Sequence, residues 1–381
     1  MGLIYLDNSA TTKPCESAVK AMQSAMCDTW GNPSSLHRLG VEAEAIVNEV
    51  RQKIADLINC REDEVFFTGS GTEANNLGLI GVAESMKRRG NKIITTSVEH
   101  PSVLNTCKHL SENGFEVIYI KPQNDGYVSA EDILNAVDDK TILITMMLVN
   151  NETGCIFPVS EVAEGLKERK SRVLLHCDSV QAFGKMDIDV EELGVDLLTA
   201  SGHKIHGPKG IGFLYKSKKI NNLKPIIHGG NQEKGLRSGT ESVPLIAALG
   251  GALDELSVTS SLSAVKKLHS YAVESLGSID GVVINSPTKN ILPYIINISV
   301  LGYRSETLLH FLETRDIFVS SGSACSKGKG SHVLNEMGLN PDLTDSALRI
   351  SFSKNTTTKE IDKLCEALIE AQSSLRRKQG H

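Results

Sequence analysis

The stretch Asp196–Tyr215, "DLLTASGHKIHGPKGIGFLY", joins two apolar runs through a turn that carries Lys204. Residues 196–201 and 207–215 have the short apolar composition of strands. A lysine charge is costly to bury in such a connection, because water no longer solvates it. Lys204 is therefore either a surface lysine whose side chain reaches solvent or a residue held there for a chemical purpose. Taken alone, the stretch favours the surface lysine.

Short apolar runs also lie upstream of this stretch. Amphipathic helical segments separate several of them, including residues 73–90 and 158–171. This alternation predicts an α/β fold with a mainly parallel sheet that helices cover on both faces. The apolar runs are almost unbroken, as in strands that are buried on both sides. The further predicted strands are residues 64–69, 92–98, 115–120, 141–149 and 172–178.

The pattern changes after residue 255. A helix is predicted at 260–276 and a final amphipathic helix at 358–378, with strand-like runs between them. We therefore expect a large α/β domain over residues 15–255. A smaller α+β domain is expected from residues 1–14 and 256–381 together. The strand-like runs are residues 281–287, 291–300 and 347–353.

Composition and charge exclude several classes of protein. The formal net charge of -6 disfavours a nucleic acid as the main ligand, and we predict no direct nucleic-acid partner. No apolar run has the length of a membrane span, so no membrane contact is predicted. The start "MGLIYLDNSATTKP" lacks the basic and apolar regions of a signal peptide. We expect a cytoplasmic protein.

The cysteines argue against a metal site built from local sequence. No two of the eight form a C-x-x-C pair, and we predict no metal site. Cys325 differs from the others because it lies in the Ser/Gly-rich stretch 319–333, beside Lys327 and Lys329. The small neighbours predict a loop, and the lysines favour the thiolate form of the cysteine.

Polar residues follow the predicted strands where each strand ends. In open α/β sheets, ligands bind at the carboxyl ends of the strands, so these residues are expected to meet at one edge of the sheet. They comprise the glycine-rich run 69–76, His100, the run 150–154, Asp178 with Gln181, and Lys204.

The run 69–76, "GSGTEANN", is typical of a glycine turn that enters a helix, with Thr72 placed to cap the helix. Free N–H groups and the helix dipole make such a start an anion site, most often for phosphate. An alternative stays open, because Gly69, Gly71 and Ala74 also fit the dinucleotide fingerprint G-x-G-x-x-A. Glu99 would be the acid of that fingerprint, but it lies farther away than the expected distance of about 20 residues.

Three of these features together are what pyridoxal phosphate requires. A lysine forms a Schiff base with the cofactor, an acid faces its pyridinium nitrogen, and a helix start binds its phosphate. Lys204, Asp178 and the run 69–76 supply these parts. His100 is then placed to stack on the ring or to move protons.

With these residues assembled, the chain resembles the cysteine desulfurases of the nitrogen-fixation and iron–sulfur-cluster types over nearly its whole length. The resemblance implies the fold-type I architecture of pyridoxal-phosphate transferases, with a mainly parallel seven-stranded sheet and a smaller α+β domain. It also implies a homodimer that removes sulfur from L-cysteine and releases L-alanine. The motifs that carry it are "YLDNSATT" (5–12), "FTGSGTEANN" (67–76), "VEHPSV" (98–103), "VNNETG" (149–154), "HCDSVQAFGK" (176–185), "SGHKIHGPKG" (201–210), "RSGTES" (237–242), "SSGSAC" (320–325) and "SALRIS" (346–351).

The resemblance also implies roles for individual residues. Lys204 would hold the cofactor, Asp178 would pair with its pyridine nitrogen, and Gln181 would hydrogen-bond its phenolic oxygen. His100 would stack on the ring and act in acid–base steps. The residues implied for binding the phosphate are Gly71, Thr72, Ser201, His203 and, from a partner subunit, Thr240.

On the substrate side, the resemblance places Asn151 beside the ring and the substrate. Arg349 would clamp the substrate carboxylate. Cys325 would attack the substrate sulfur as a thiolate and take it as a persulfide. A sulfur-acceptor protein, either a cluster scaffold or a thiolation relay, would then receive the sulfur.

The sequence departs from the resemblance after Cys325. There the run "SKGKG" makes the loop about two residues shorter than expected of the iron–sulfur-cluster type, which leaves the acceptor open. Gly71 stands where many relatives have alanine, and we expect phosphate binding to tolerate either residue. A related fold-type I enzyme, such as a selenocysteine lyase or an aminotransferase, remains the alternative function.

Overall fold

The structure is a computed structural model that describes residues 2–321 and 330–377. Within these residues it contains strands β1 (Ile4–Tyr5), β2 (Val65–Thr68), β3 (Lys92–Thr96), β4 (Glu116–Ile120), β5 (Thr141–Met147), β6 (Leu174–Asp178), β7 (Leu197–Ser201), β8 (Gly212–Lys216), β9 (Val282–Ile284), β10 (Ile295–Val300), β11 (Ile317–Phe318) and β12 (Ala347–Ser351). The helices are α1 (Glu16–Cys27), α2 (Arg38–Leu57), α3 (Gly71–Met86), α4 (Pro101–Glu112), α5 (Ala130–Asn135), α6 (Val159–Glu168), α7 (Val190–Leu193), α8 (Val243–Asp254), α9 (Val258–Gly277), α10 (Ser305–Glu313), α11 (His332–Glu336), α12 (Pro341–Asp345) and α13 (Thr358–Ser374).

Seven strands form the central sheet, in the spatial order β2-β8-β7-β6-β5-β3-β4. Five adjacent strands are parallel to one another, namely β7, β6, β5, β3 and β4. Strand β8 is antiparallel to both β7 and β2. This arrangement confirms the predicted α/β class and the mainly parallel seven-stranded sheet.

Both faces of the sheet are buried. Successive side chains of a strand point to opposite faces, and Ile93 and Ile94 of β3 accordingly belong to two different buried clusters. Leu197 and Leu198 of β7 divide in the same way. This double burial explains why the strands are recognisable as unbroken apolar runs.

Several predicted strands are longer than those observed, and two of them extend at the carboxyl edge of the large sheet. The runs 92–98 and 141–149 continue past the ends of β3 and β5. Val98 and Val149 are nevertheless buried in the core, although Val149 makes an isolated bridge with Ile156 and neither residue belongs to a strand. Burial there does not require strand pairing, so hydrophobicity alone overestimated the strand lengths.

The remaining strands form two smaller sheets. Strand β10 pairs in antiparallel fashion with β12 and with β9, and β1 pairs with β11 in parallel. Strand β1 thus joins the N-terminus to the C-terminal part of the chain. The division into a domain of residues 15–255 and a second of residues 1–14 with 256–381 remains a prediction.

The N-terminal segment also crosses to the carboxyl edge of the large sheet. Asp7 pairs with Ser351 at the end of β12, and Thr12 N donates to the carbonyl oxygen of His203 over 2.9 Å. The segment between Asp7 and Thr12 therefore lies between the large sheet and the smaller sheets.

In the described part of the chain, no single helix is long and apolar enough to cross a membrane. Helices α8 and α9 together reach the required length and composition, but they are bent by 68° at their junction.

Gly212 allows the start of α3 to pack against the sheet. A Cβ atom at this position would lie 2.7 Å from the carbonyl oxygen of Ala200 and 2.8 Å from the carbonyl carbon of Ser70. Backbone atoms in a strand and at a helix start cannot move aside as the end of a flexible side chain can. The glycine is therefore needed for the close approach of α3 to β8.

We predict that Gly212→Ala destabilises the protein by about 1–3 kcal/mol, the usual cost of overpacking. Lower thermal unfolding temperatures in calorimetry would show this. Gly277→Ala is the control, because a Cβ atom there has no neighbour within 4 Å and alanine favours a helix. Equal unfolding temperatures for Gly212→Ala and the wild type would contradict the packing argument.

Candidate active site

A cavity of about 680 Å³ opens at the carboxyl ends of β3, β5, β6 and β7. It brings together residues that are far apart in the sequence, as the topology of a parallel sheet requires. The predicted site residues that line it are Gly71, Thr72, His100, Asn151, Asp178, Gln181, Ser201, His203, Lys204 and Arg349.

Two predicted residues are not among those that line this cavity. Thr240 is exposed and lies outside it, and its role as a contribution from a partner subunit remains a prediction. Cys325 lies outside the described residues. The chain on either side of residues 322–329 does reach the site, because Ser320 pairs with Arg349 and His332 lines the cavity.

Lys204 lies in a short 3-10 turn, Gly202–Lys204, directly after β7. Its ammonium group points inward, where Nζ donates to the carbonyl oxygens of Ser9 over 2.5 Å and Ala10 over 2.7 Å. Burial is the main cause that lowers the Lys204 pKa to about 8, and the charge of Arg349 adds to this effect. Lys204 is therefore no surface lysine, and a larger fraction of its amine than of an ordinary lysine is uncharged and nucleophilic near neutral pH.

Asp178 ends β6 and is buried. Its Oδ1 accepts from Val180 N over 3.0 Å, and its Oδ2 accepts from Asn75 Nδ2 over 2.7 Å. The carboxylate therefore has fixed donors on both oxygens while it lines the cavity. Such a site suits a cationic group of a ligand.

Gln181 contacts Lys185, a residue to which the sequence motifs assigned no role. Its Nε2 donates to the carbonyl oxygen of Ser9 over 3.0 Å, and its Oε1 accepts from Lys185 Nζ over 3.1 Å. Burial, with the nearby charges of Lys204 and Arg349, lowers the Lys185 pKa to about 7. The four-residue spacing of Gln181 and Lys185 was the signal in the sequence that could have suggested this contact.

The predicted cap of α3 is wrong. Ser70, not Thr72, is the capping residue, since its Oγ accepts from Glu73 N over 3.1 Å while its own backbone is extended. Thr72 lies in the first turn and is exposed at the cavity, where its hydroxyl is free of the capping role. The first turn of α3 still directs backbone N–H groups to this end of the cavity, as an anion site requires.

Gly71 packs too closely for alanine to fit without adjustment. A Cβ atom there would lie 2.8 Å from Val180 Cγ2 and 3.4 Å from Ser201 Cβ. The expectation that either residue serves equally well therefore holds in this chain only if Val180 moves.

His203 and Ser201 flank the same end of the cavity. Burial, with a contribution from the charge of Lys204, lowers the His203 pKa to about 4. The ring is therefore neutral at neutral pH. The His203 Nδ1 atom lies 3.2 Å from Thr11 Oγ1.

His100 caps the start of α4. Its Nδ1 accepts from Ser102 N over 3.1 Å and lies 2.7 Å from Ser102 Oγ. Desolvation is the main cause that lowers the His100 pKa, Lys204 lowers it further, and Asp178 opposes both. The ring thus enters the cavity mainly in its neutral form.

Arg349 lies on β12 and reaches the cavity from the smaller sheet. Its Nη1 donates to the carbonyl oxygen of Asn151 over 3.0 Å, and its Nη2 donates to Asp7 Oδ1 over 2.9 Å. Nε is buried and has no partner among the described residues. The guanidinium therefore retains donor capacity for an anionic ligand such as a carboxylate.

Glu99 serves the fold at the edge of the cavity. Its Oε1 accepts from Thr96 Oγ1 over 2.7 Å and from Met147 N over 2.9 Å, which ties the end of β3 to β5. Burial raises the Glu99 pKa to about 8. An acid held in this way, and mostly protonated at neutral pH, does not suit the ribose contact that the dinucleotide alternative requires.

Comparison with known proteins agrees with this geometry. Residues 4–364 match the family described as Aminotransferase class-V. The chain belongs to this family. Within it, the chain is 38% identical over 377 residues to the cysteine desulfurase IscS of Methanosarcina thermophila, and the match covers 98% of this chain and 93% of the relative.

Solved structures point in the same direction. A structure named NifS-like protein superposes with a TM-score of 0.93 at 36% identity and covers 98% of this chain and 100% of its own. A structure titled SspA in complex with cysteine superposes with a TM-score of 0.83 at 34% identity and covers 93% and 100%. The chain is therefore one of the family members similar to IscS and NifS, as its motifs indicated.

We predict that Lys204 becomes reactive at a lower pH than ordinary lysines do. Because its pKa is lowered to about 8, its neutral amine accumulates from about that pH upward. Trace acetylation across a pH series, read by mass spectrometry on protein stripped of small molecules, measures this midpoint.

Lys20 is the control for this measurement, since its hydrogen bond to Glu16 raises its pKa. Lys20 should react only at higher pH. A shared midpoint for Lys204 and Lys20 would contradict the burial of the Lys204 amine.

Proposed function

We propose that the chain is a cysteine desulfurase that binds pyridoxal phosphate in this cavity. In this proposal it takes sulfur from L-cysteine and releases L-alanine. The observation that carries the proposal is the Lys204 amine, buried in one cavity with the Asp178 carboxylate and the start of α3. Membership of the family and the names of the similar proteins support the same function.

The residues of the cavity fit the cofactor. Lys204 would hold it covalently, Asp178 would pair with its ring nitrogen, and the Gln181 amide would donate to its phenolic oxygen. The phosphate would lie at the first turn of α3, where Ser201 and His203 line the cavity. When bound, pyridoxal phosphate supplies a ring that accepts the electrons of a carbanion at the substrate α-carbon.

Residues of this chain would remove the substrate α-proton and bind the substrate carboxylate. Lys204 Nζ would serve as the base for the substrate α-proton, because its lowered pKa leaves part of the amine neutral. Arg349, which lines the cavity, would bind the substrate carboxylate through its guanidinium group. Asn151 lies beside Arg349 through its carbonyl oxygen and also lines the cavity.

Cys325 would act as the sulfur acceptor within the enzyme. Its thiolate would attack the substrate sulfur, forming a sulfur–sulfur bond as the carbon–sulfur bond breaks, and protonation of the remaining fragment would give alanine. The flanking contacts support this role, because Ser320 pairs with Arg349 and His332 Nε2 lies 2.7 Å from the carbonyl oxygen of Ser97. Both ends of the segment 322–329 are therefore held at the site.

The partners belong to the proposal as well. One similar structure is titled as a complex with cysteine, which supports cysteine as the substrate here. The homodimer, the sulfur-acceptor protein and the cytoplasmic location follow from the resemblance and from the relatives named IscS. These features remain predictions for this chain.

We predict that the purified protein is yellow and releases sulfide and alanine in equal amounts from L-cysteine with a reductant. Borohydride should fix the chromophore covalently to the wild type but not to Lys204→Ala. Cys325→Ala should keep the colour and lose sulfide release. Visible absorption, mass spectrometry and product assays measure these results.

Cys27→Ala is the matched control, since Cys27 is exposed on α1 away from the cavity, and it should behave as wild type. A yellow protein that makes no alanine would keep the cofactor and assign another amino acid as substrate. A protein that stays colourless with added pyridoxal phosphate would refute the proposal.

We predict that Arg349→Lys raises KM for cysteine about tenfold or more, because lysine keeps the charge but loses the planar fork of donors. The colour should remain, since Arg349 does not hold the cofactor in this proposal. Arg315→Lys is the matched control and should leave KM unchanged, because Arg315 pairs with Glu370 and does not line the cavity. An unchanged KM in Arg349→Lys would exclude Arg349 as the carboxylate clamp.

A further inference from the structure

Asn75 connects Asp178 to the helix that carries His100. It lies on α3 and is fully buried. Its Nδ2 donates to Asp178 Oδ2 over 2.7 Å and to Ser102 Oγ over 2.9 Å. Ser102 belongs to α4, and its Oγ lies 2.7 Å from His100 Nδ1. These contacts form an unbroken chain from the Asp178 carboxylate to the His100 ring.

The chemistry of Asp178 determines which way the Asn75 amide faces. A carboxylate oxygen accepts hydrogen bonds, so the amide group at 2.7 Å from it must be the NH₂ and not the oxygen. In this orientation Asn75 Oδ1 is buried without a partner among the described residues. The two donor contacts of Nδ2 therefore outweigh the loss at Oδ1.

The Asn75 orientation in turn directs the Ser102 hydroxyl. Since Asn75 Nδ2 donates to Ser102 Oγ, that oxygen uses a lone pair toward Asn75 and is free to donate its own proton to His100 Nδ1. The backbone N–H of Ser102, which can only donate, is directed at the same Nδ1 over 3.1 Å. Two donors therefore converge on one ring nitrogen.

We propose that Asn75 and Ser102 are positioning residues that hold His100 with Nδ1 unprotonated, so that the neutral ring presents its Nε2–H group to the cavity. The tautomer of a histidine follows from the hydrogen bonds that its other nitrogen makes. A proton on Nδ1 would face the Ser102 N–H group, which would then have lost its acceptor.

This tautomer limits what His100 can do. Its Nε2 carries a proton and is a hydrogen-bond donor, not a lone-pair base, toward an electron-rich atom of a ligand. A base role at Nε2 requires the opposite tautomer, which loses the contact with the Ser102 N–H group and reverses the hydrogen bond with Ser102 Oγ. The use of this N–H in catalysis rests on the proposed function, whereas the tautomer itself does not.

The charged groups around the ring are consistent with a neutral His100. Lys204 and His203 face it from the turn after β7, and Asp178 faces it from β6. Glu99 precedes it in the chain, and burial raises the Glu99 pKa to about 8. Asp178 is thus the group that favours the charged ring, and Asn75 satisfies the Asp178 carboxylate directly.

The test is a long-range ¹H–¹⁵N correlation spectrum of the protein as purified, with ¹⁵N-labelled histidine. Protonated and unprotonated ring nitrogens have well separated shifts, and the His100 signals are those that His100→Gln removes. We expect a protonated-type Nε2 and an unprotonated-type Nδ1. A protonated Nδ1 in the wild type would overturn the proposal.

Two variants test the positioning residues. Asn75→Ala and Ser102→Ala should each raise the pH midpoint of the His100 signals by about one unit, because each weakens donation to Nδ1. Asn76→Ala is the matched control. Asn76 is the next residue of α3 and also bridges to α4, since Asn76 Oδ1 accepts from Thr106 Oγ1 over 3.0 Å, but it contacts neither Asp178 nor Ser102.

The outcomes separate this inference from the proposed function. An unchanged midpoint in both variants would overturn the positioning roles, and Ser102→Ala alone decides the matter if Asn75→Ala fails to fold. An Nε2–H ring in a protein that releases no sulfide would leave the inference standing and contradict the function. A protonated Nδ1 in an active desulfurase would overturn the inference and leave the proposed function standing.

Discussion

The site depends on the hydrogen bonds from the Lys204 amine to the carbonyl oxygens of Ser9 and Ala10. An ammonium group that leaves water needs acceptors, and here the N-terminal segment supplies them. The same segment continues along the turn after β7, where His206 N donates to Thr12 Oγ1 over 2.7 Å. The N-terminus is therefore held between the large sheet and the smaller sheets, and it closes one side of the cavity. Among the described residues the Lys204 amine hydrogen-bonds to carbonyl oxygens and not to a carboxylate, although the charges of Asp7 and Asp178 act to raise its pKa.

Burial determines the charges that surround this amine. It raises the pKa of Glu99 to about 8 and that of Glu152 to about 7, so neither carboxyl group is fully ionised at neutral pH. Asp178 is provided with donors and Arg349 retains an unpartnered Nε. The cavity therefore offers the Arg349 guanidinium to an anionic group and the Asp178 carboxylate to a cationic one.

The run 69–76, His100, Asp178 and Lys204 could be predicted at one site from the sequence, because they follow strands whose carboxyl ends meet at one edge of the sheet. Arg349 lies within β12 of a smaller sheet, and only the resemblance placed it at the site. Residues that act through a neighbour were missed. Asn75 and Ser102 occur in recognised motifs, but their contact depends on how α3 packs against α4. The cap of α3 was assigned to Thr72 and belongs to Ser70, because capping depends on where the backbone leaves the extended conformation, which composition does not specify.

The sequence by itself determined the fold class, the family and the set of side chains at the carboxyl edge. Unbroken apolar runs require burial on both faces, which fixes the fold class. The family follows from the resemblance of the motifs. Only the tertiary structure decided the state of those side chains. The lowered pKa of Lys204 and the contacts of Asn75 with Asp178 and Ser102 arise between segments distant in the sequence. Desolvation and hydrogen bonding are properties of the folded neighbourhood, and no local pattern of residues encodes them.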